Sequence, residues 1–339
     1  MPDGLQDPSA VHHSPRKSDF RPTASWENLR LRAELLRRLR DFFAERGFLE
    51  VETPILSADT VVDRHLDPFC TDVAGPPGES PRRLWLQTSP EFAMKRLLAA
   101  GGEAIYQVAR VFRLGEQGPL HNGEFTMVEW YRTGDTMDEG IQLTSDLCQA
   151  MLRRGPAERL TYAEAFQQHV GLDPHTCDTE ALVSAVAALG IAPPASLAAD
   201  DRDGWLDLLL VERVQPNLGV TRPLLLYDYP ASQAALARIR PQDPPVAERF
   251  ELYVSGIELA NGYHELLDPA ELRVRNHRAN AQRHADGKQT LPEESRLLAA
   301  MQAGLPPAVG VSLGFDRLVM LAAGAKNLDE VIAFPFHRA

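Results

Sequence analysis

The strongest constraint on the fold is a pair of β-rich runs, residues 105–113 and 124–132, joined by the polar, glycine-containing loop 114–123. A parallel pair needs a crossover of a dozen or more residues, usually a helix, so runs joined by so short a loop form a long antiparallel hairpin. Shorter strands are expected at 48–54, where Pro54 stops the run, and at 84–87, 224–229 and 310–314, with two adjoining strands within 249–265. Leu35, Leu36, Leu39, Phe42 and Phe43 recur at helical spacing between a capping Ser25 and Gly47. Further helices are expected from Glu91 to about 100, at roughly 268–286 and 292–303, and from Phe315 to about 323. Residues 135–215 hold weaker amphipathic runs, broken at Pro193-Pro194. The sum is an α+β chain: an antiparallel sheet with helices packed on it.

The 339 residues allow one large domain or two modest ones. The net charge of 35 − 47 = −12 argues against sequence-blind wrapping of nucleic acid. No apolar run approaches the roughly 18 residues of a membrane span, and the polar residues 1–22 lack the apolar core of a secretory leader. Cys70, Cys148 and Cys177 are odd in number and dispersed, which suits neither a disulfide framework nor a four-ligand zinc site, so a cytoplasmic setting is expected. Residues 1–24 read as a disordered tail and 25–339 as the folded unit. Arg30, Arg32, Arg37, Arg38 and Arg40 form a basic helix face, either solvated or a docking surface for an acidic partner.

Three constellations carry chemistry. Arg113 ends the first hairpin strand, where a guanidinium can clamp phosphate or simply pair with a neighbouring carboxylate. Glu258 and Glu265 stand seven apart, a spacing that puts them on opposite faces of an unbroken strand. Asn261-Gly262 between them signals a turn or bulge that could bring them together around Mg²⁺ bound with nucleotide phosphates; the alternative is two solvated glutamates. Gly314 precedes the last helix and Arg317 lies in its first turn, so a flat ring or phosphate could approach that backbone closely. Asp316 beside it reads as an ordinary helix N-terminal residue.

In this order on an antiparallel sheet, these signals resemble the three motifs of class II aminoacyl-tRNA synthetases: the strand ending at Pro54 the first, the hairpin bearing Arg113 the second, and Gly314 to Arg317 the third. Thr88-Ser89-Pro90-Glu91, the run from His121 to Glu129 and Glu258-Leu259-Ala260-Asn261-Gly262 resemble the lysyl branch. Glu129-Trp130-Tyr131-Arg132, the segment 229–237 and the segment 246–251 are similar to the elongation factor P–(R)-β-lysine ligases of that branch. The resemblance runs from about Trp26 to the C-terminus. It implies a class II synthetase-like catalytic domain that uses ATP and Mg²⁺ to make an aminoacyl-adenylate from (R)-β-lysine or lysine. The acyl group then passes to a lysine ε-amine on elongation factor P. With only about 25 residues ahead of the first helix, no OB-fold anticodon-binding domain is expected, tRNA is not expected as acceptor, and a homodimer is.

By resemblance, Arg113 and Arg317 are the catalytic cations. Leu114, Gly115, Asn122, Glu258, Leu259 and Gly314 join them around ATP. Ser89, Pro90, Glu91, Glu129, Tyr131 and Glu265 bind the amino acid, and Glu258 with Glu265 holds the metal. Leu114-Gly115-Glu116 stands where the synthetases have Asn-Glu after the arginine, Gly123 where the family usually has proline, and Ser312 where the ligases usually have alanine. Gly123 is expected to loosen the hairpin return. Two alternatives stay open: a truncated lysyl-tRNA synthetase paralogue serving another acceptor, and a catalytically inactive regulatory protein.

Overall fold

Ser25 accepts a hydrogen bond from the Asn28 N–H and caps the first helix, α1 (Trp26–Ala44), whose buried face is Leu35, Leu39, Phe42 and Phe43. Phe43 stacks on Tyr106 at 4.4 Å and touches Phe48 and Trp130, fixing α1 against the hairpin. Burying each such side chain contributes about 1.5–3 kcal/mol. Residues 20–76 and 79–339 are described by a computed structural model. Residues 1–19, most of the expected tail, lie outside the described residues. Thr23, within the expected tail, donates from its N–H to Ala333 O and from its hydroxyl to Ile332 O, and Ala24 is buried.

The strands that follow α1 are short: β1 (Leu49–Glu50), β2 (Leu56–Ser57), β3 (Cys70–Val73) and β4 (Arg82–Leu86). After α2 (Glu91–Ala99) comes the expected hairpin, β5 (Ala104–Phe112) and β6 (Glu124–Thr133), paired without a break from Ala104↔Arg132 to Phe112↔Glu124. The helical stretch then holds α3 (Met137–Leu152), α4 (Tyr162–His169), α5 (Thr179–Ala188) and α6 (Arg202–Leu209). It also contains a strand that periodicity did not reveal, β7 (Glu158–Thr161). The remainder runs β8 (Leu224–Pro230), β9 (Ile239–Arg240), β10 (Val246–Val254), β11 (Ile257–His264), α7 (Pro269–Ala285), α8 (Arg296–Gly304), β12 (Ala308–Gly314) and α9 (Phe315–Ala323).

Among the described residues, the main sheet has the order β1-β5-β6-β12-β11-β10-β8-β7, with β9 beside β10. Its centre is antiparallel as expected, but both edges are parallel: β1 on β5 and β7 on β8. A separate sheet, β2-β4-β3, takes up the expected 84–87 strand. α1, α3 and α9 cover one face of the main sheet around Phe43, Val128, Trp130, Val311 and Phe315. The opposite face is left open over the central strands. No helix among the described residues is long and apolar enough to cross a membrane.

The arginine face of α1 divides. Arg37 pairs with Glu34 and Asp41, and Arg40 with Glu50, all largely exposed. Arg32 turns inward, 2.5 Å from Asp316 Oδ1, and donates to the Thr126 hydroxyl. Asp316 Oδ2 accepts from the Thr126 N–H, so this buried aspartate ties α1, β6 and α9 together instead of merely facing its own helix terminus.

Candidate active site

Directly paired residues of an antiparallel sheet project to the same face. The registers therefore set Gln107, Glu129, Ser312, Asn261 and Glu251 in one row across five strands. Ile105, Tyr131, Gly310, Tyr263 and Arg249 form the next row. The last four residues of each row floor a cleft of about 750 Å³. A Cβ on Gly310 would lie 2.2 Å from the Tyr131 ring and 2.3 Å from Glu265 Oε1. Glycine is thus required for those two side chains to lie across β12.

One end of the cleft is anionic and buried. Pro90 starts α2, which sets Glu91 in its first turn, and the Ser89 hydroxyl oxygen accepts from the Glu91 N–H. Ser89 donates to Glu129 Oε2 at 2.7 Å, and the Tyr131 hydroxyl donates to Glu129 Oε1 at 2.5 Å. Lys95, one turn beyond Glu91, places Nζ 2.5 Å from Glu91 Oε1 and 2.5 Å from Glu265 Oε2. Burial, then the nearby Glu91 charge, pushes the Glu129 carboxyl up to about 7. Burial also drives Glu265 to about 8, against the pull of Lys95. Burial works against the Lys95 ammonium, but Glu265 and Glu91 outweigh it and hold its pKa above the ordinary lysine value.

The other end is cationic and more open. Arg113 donates from Nε to Thr88 O at 3.4 Å, lies 3.5 Å from Glu116 and stands 5.0 Å from the Phe125 ring centre. Arg317 donates from Nη1 to Glu258 O and from Nε to Leu120 O, with its Nη2 2.9 Å from His121 Nε2. Because arginine can only donate, that imidazole nitrogen accepts, and the ring is neutral. Burial and then Arg317 lower the His121 pKa in the same sense. The Leu114 N–H donates to Asp67 O, and Gly115 takes a left-handed φ of 82° that turns the loop. Leu259 is buried in the core beside Glu258, and Gly314 caps α9.

Asn122 is buried with both ends of its amide committed: Nδ2 donates to Glu124 O, and Oδ1 accepts from the Phe336 N–H. It builds the hairpin return. Gly123 beside it does not loosen that return: the Phe336 ring packs against it, where a Cβ would meet the ring at 3.3 Å.

Glu258 and Glu265 do not meet. A bulge at Leu259, where the β10–β11 register shifts, returns Glu258 to the cleft face shared by Asn261 and Glu265, but the rest of β11 pairs with β12 in unbroken register from Ala260 to His264 and keeps the two glutamates at opposite ends of the strand. Their carboxylates keep different company, Arg317 for Glu258 and Lys95 for Glu265. The hairpin turn lies earlier, at Ser255 (φ 54°) and Gly256 (φ 75°), and it pairs Tyr253 with Glu258, so that Glu251, two residues back along β10, lies diagonally across from Glu258. Gly262 is needed for packing, since a Cβ there would strike the Phe250 ring at 2.3 Å. The group that faces Glu258 is Glu251: after burial, it is the main cause of the upward shift of the Glu258 pKa.

Glu251 accepts from the hydroxyls of Tyr229 and Tyr253, from Arg249 and from Asn261. Two hard oxygen donors that repel each other suit a hard divalent cation. Among the described residues, no group of three or more His, Cys, Asp or Glu residues gathers into a metal site, so such a cation would need further oxygens from a ligand such as a polyphosphate. Sequence reading missed Lys95, Arg249 and Glu251 as site residues. The Ser-Gly dipeptide at 255–256 was the available signal for the last.

Residues 10–338 match the family described as tRNA synthetases class II (D, K and N). Among curated proteins, the chain is 50% identical to an elongation factor P–(R)-β-lysine ligase of Vibrio cholerae serotype O1, over 95% of this chain and 99% of the relative. Proteins of the same name from Proteus mirabilis and Klebsiella pneumoniae are 47% and 48% identical, over 95% and 94% of this chain and 99% and 98% of theirs. An antiparallel sheet that carries an arginine on its long hairpin, a second arginine in the closing helix and paired carboxylates between them, matched over nearly its whole length, belongs to the class II tRNA synthetase family of the D, K and N type.

Proposed function

We propose that this chain activates (R)-β-lysine or lysine with ATP and transfers the acyl group to a lysine ε-amine of elongation factor P. The observation that carries the reading is a single cleft with two unlike ends. Carboxylates suited to ammonium groups gather at Glu91, Glu129 and Glu265, and cations suited to a polyphosphate are Arg113 in the cleft wall and Arg317, which pairs with the cleft residue Glu258 from beside it. The near-full-length likeness to ligases of that name supports the choice of acceptor.

In the first step a substrate carboxylate oxygen attacks the α-phosphorus and pyrophosphate leaves. Arg113 and Arg317 offset the charge that develops there, held in place beforehand by carbonyl oxygens and Phe125. Glu251 and Glu258 would hold Mg²⁺, which supplies charge neutralisation on phosphate oxygens. In the second step the acceptor nitrogen attacks the acyl carbon, AMP leaves, and the nitrogen gives up a proton. The buried carboxylates orient the two amines of the amino acid, and Ser312 on the floor bears on which isomer fits.

A cytoplasmic location is part of the proposal. So is a homodimer: Leu49 at the sheet edge is 65% exposed, and Trp26, Ile55 and Leu56 are exposed nearby in sequence. The test incubates the protein with ATP, Mg²⁺ and either lysine isomer, with elongation factor P or tRNA(Lys) as acceptor. Mass gain on the protein acceptor with AMP release is expected. Charging of tRNA without that mass gain overturns the reading.

A further inference from the structure

Lys95 is 2% exposed and lies behind the cleft: Glu91 and Glu265 line the cavity, and Lys95 does not. It takes Oε1 of Glu91 and Oε2 of Glu265, each at 2.5 Å. The other oxygen of Glu265, Oε1, is the atom beside the open face of Gly310, where β12 has no side chain to cover it. Each carboxylate thus gives one oxygen to an internal cation and keeps one for the cleft. Glu129 has no such partner, and both its oxygens take neutral hydroxyl donors, Tyr131 and Ser89.

We propose that Lys95 is a positioning residue of the amino-acid pocket, a resident ammonium that pairs with one oxygen of Glu91 and of Glu265 and aims the other oxygen of each at the substrate's amines. This rests on the reading that the cleft binds a diamino acid. Once substrate has expelled the protons, three carboxylates against one ammonium give the pocket two negative charges, the complement of a substrate bearing two ammonium groups. Without Lys95 the pocket would hold three uncompensated carboxylates, and protons would fill it in place of the substrate. The groups facing this cluster are Glu91 and Lys95 from α2, Glu129 and Tyr131 from β6, Tyr263 from β11, and Glu265. Glu265 is raised by burial and by Glu91, and Lys95 acts in the opposite direction.

The test measures binding of lysine and (R)-β-lysine by calorimetry from pH 6 to 9, with ATP binding as a second readout. Lys95→Met keeps the shape of the side chain. It is expected to weaken amino-acid affinity roughly 100-fold at neutral pH, to move the pH at which affinity is half-maximal upward, and to leave ATP affinity within about twofold. Unchanged affinity and pH midpoint overturn the proposal. Should Lys95→Met not fold, Lys95→Arg keeps the charge with altered geometry. It is expected to weaken binding about tenfold at an unchanged pH midpoint, and full affinity there overturns the positioning role. If the unsubstituted protein binds neither isomer, it is the diamino-acid reading that fails.

Discussion

At the buried end of the cleft, Tyr131 and Ser89 hold both oxygens of Glu129, and Lys95 holds one oxygen each of Glu91 and Glu265, before any substrate arrives. At the other end Arg113 and Arg317 are a fifth exposed, held mostly by carbonyl oxygens and by loose contacts to Glu116 and Glu258. Burial accounts for the contrast. An ionised group withdrawn from water needs a partner at hydrogen-bond distance, whereas a partly wet guanidinium can wait for its anion. The amine end therefore reads as part of the folded core, and the phosphate end as a surface poised for a ligand.

The largest expected effect falls on the phosphate end. Arg113→Ala should slow adenylate formation by about 10²–10³-fold, measured as ATP–pyrophosphate exchange, with a melting midpoint within a few degrees of the parent. A variant that loses stability as much as rate would break the distinction between the two ends. Gly310→Ala should do the reverse. Its Cβ collides with Tyr131 and Glu265, so a loss of about 1–3 kcal/mol in stability and a raised KM for the amino acid are expected, with KM for ATP little changed.

A third prediction follows from the carboxyls raised to about 7 and about 8. Glu129 and Glu265 bind protons more tightly in the folded chain than in the unfolded one, where glutamate titrates near 4.3. The folded chain thus carries extra protons between roughly pH 5 and 8, and ligand-free stability should fall as pH rises through that window. Amino-acid affinity should rise over its upper part, because the ammonium groups need ionised partners and their binding expels protons. Melting midpoints from pH 5 to 9 check the first statement, and calorimetry in buffers of different ionisation enthalpy checks the second. Glu129→Gln should flatten both profiles.

The smallest effect separates the ends by salt. Raising ionic strength from about 0.05 to 0.5 M should raise KM for ATP a few-fold and leave KM for the amino acid nearly unchanged, since screening reaches exposed charges and not buried ones. Equal sensitivity at both ends would place the amine pocket in contact with bulk solvent.

Much of this frame could be read along the chain. The β5–β6 hairpin, α1 and α9 announce themselves through local periodicity, and Ser89, Glu91, Glu129, Tyr131, Arg113 and Arg317 through motif order. β7 escaped because four residues inside a helical stretch carry too little pattern, and its pairing with β8 depends on chain 66 residues away, Glu158 against Leu224. Glu251 escaped because Asn261-Gly262 is the stronger turn signal, although Gly262 serves the packing of Phe250. Lys95 sits on α2 one turn from Glu91, and nothing local says that Glu265 lies on its other side.

The sequence by itself determined the α+β class, the long hairpin, the N-cap of the first helix and the types of charged residue the cleft would carry, because these follow from neighbours a few positions apart. Only the tertiary structure decided which carboxylates face one another, that Asn122 serves the loop and that Lys95 lies beneath the pocket. Those relations depend on strand register and on helix placement across the sheet, where one residue of slip reverses the face on which every side chain stands.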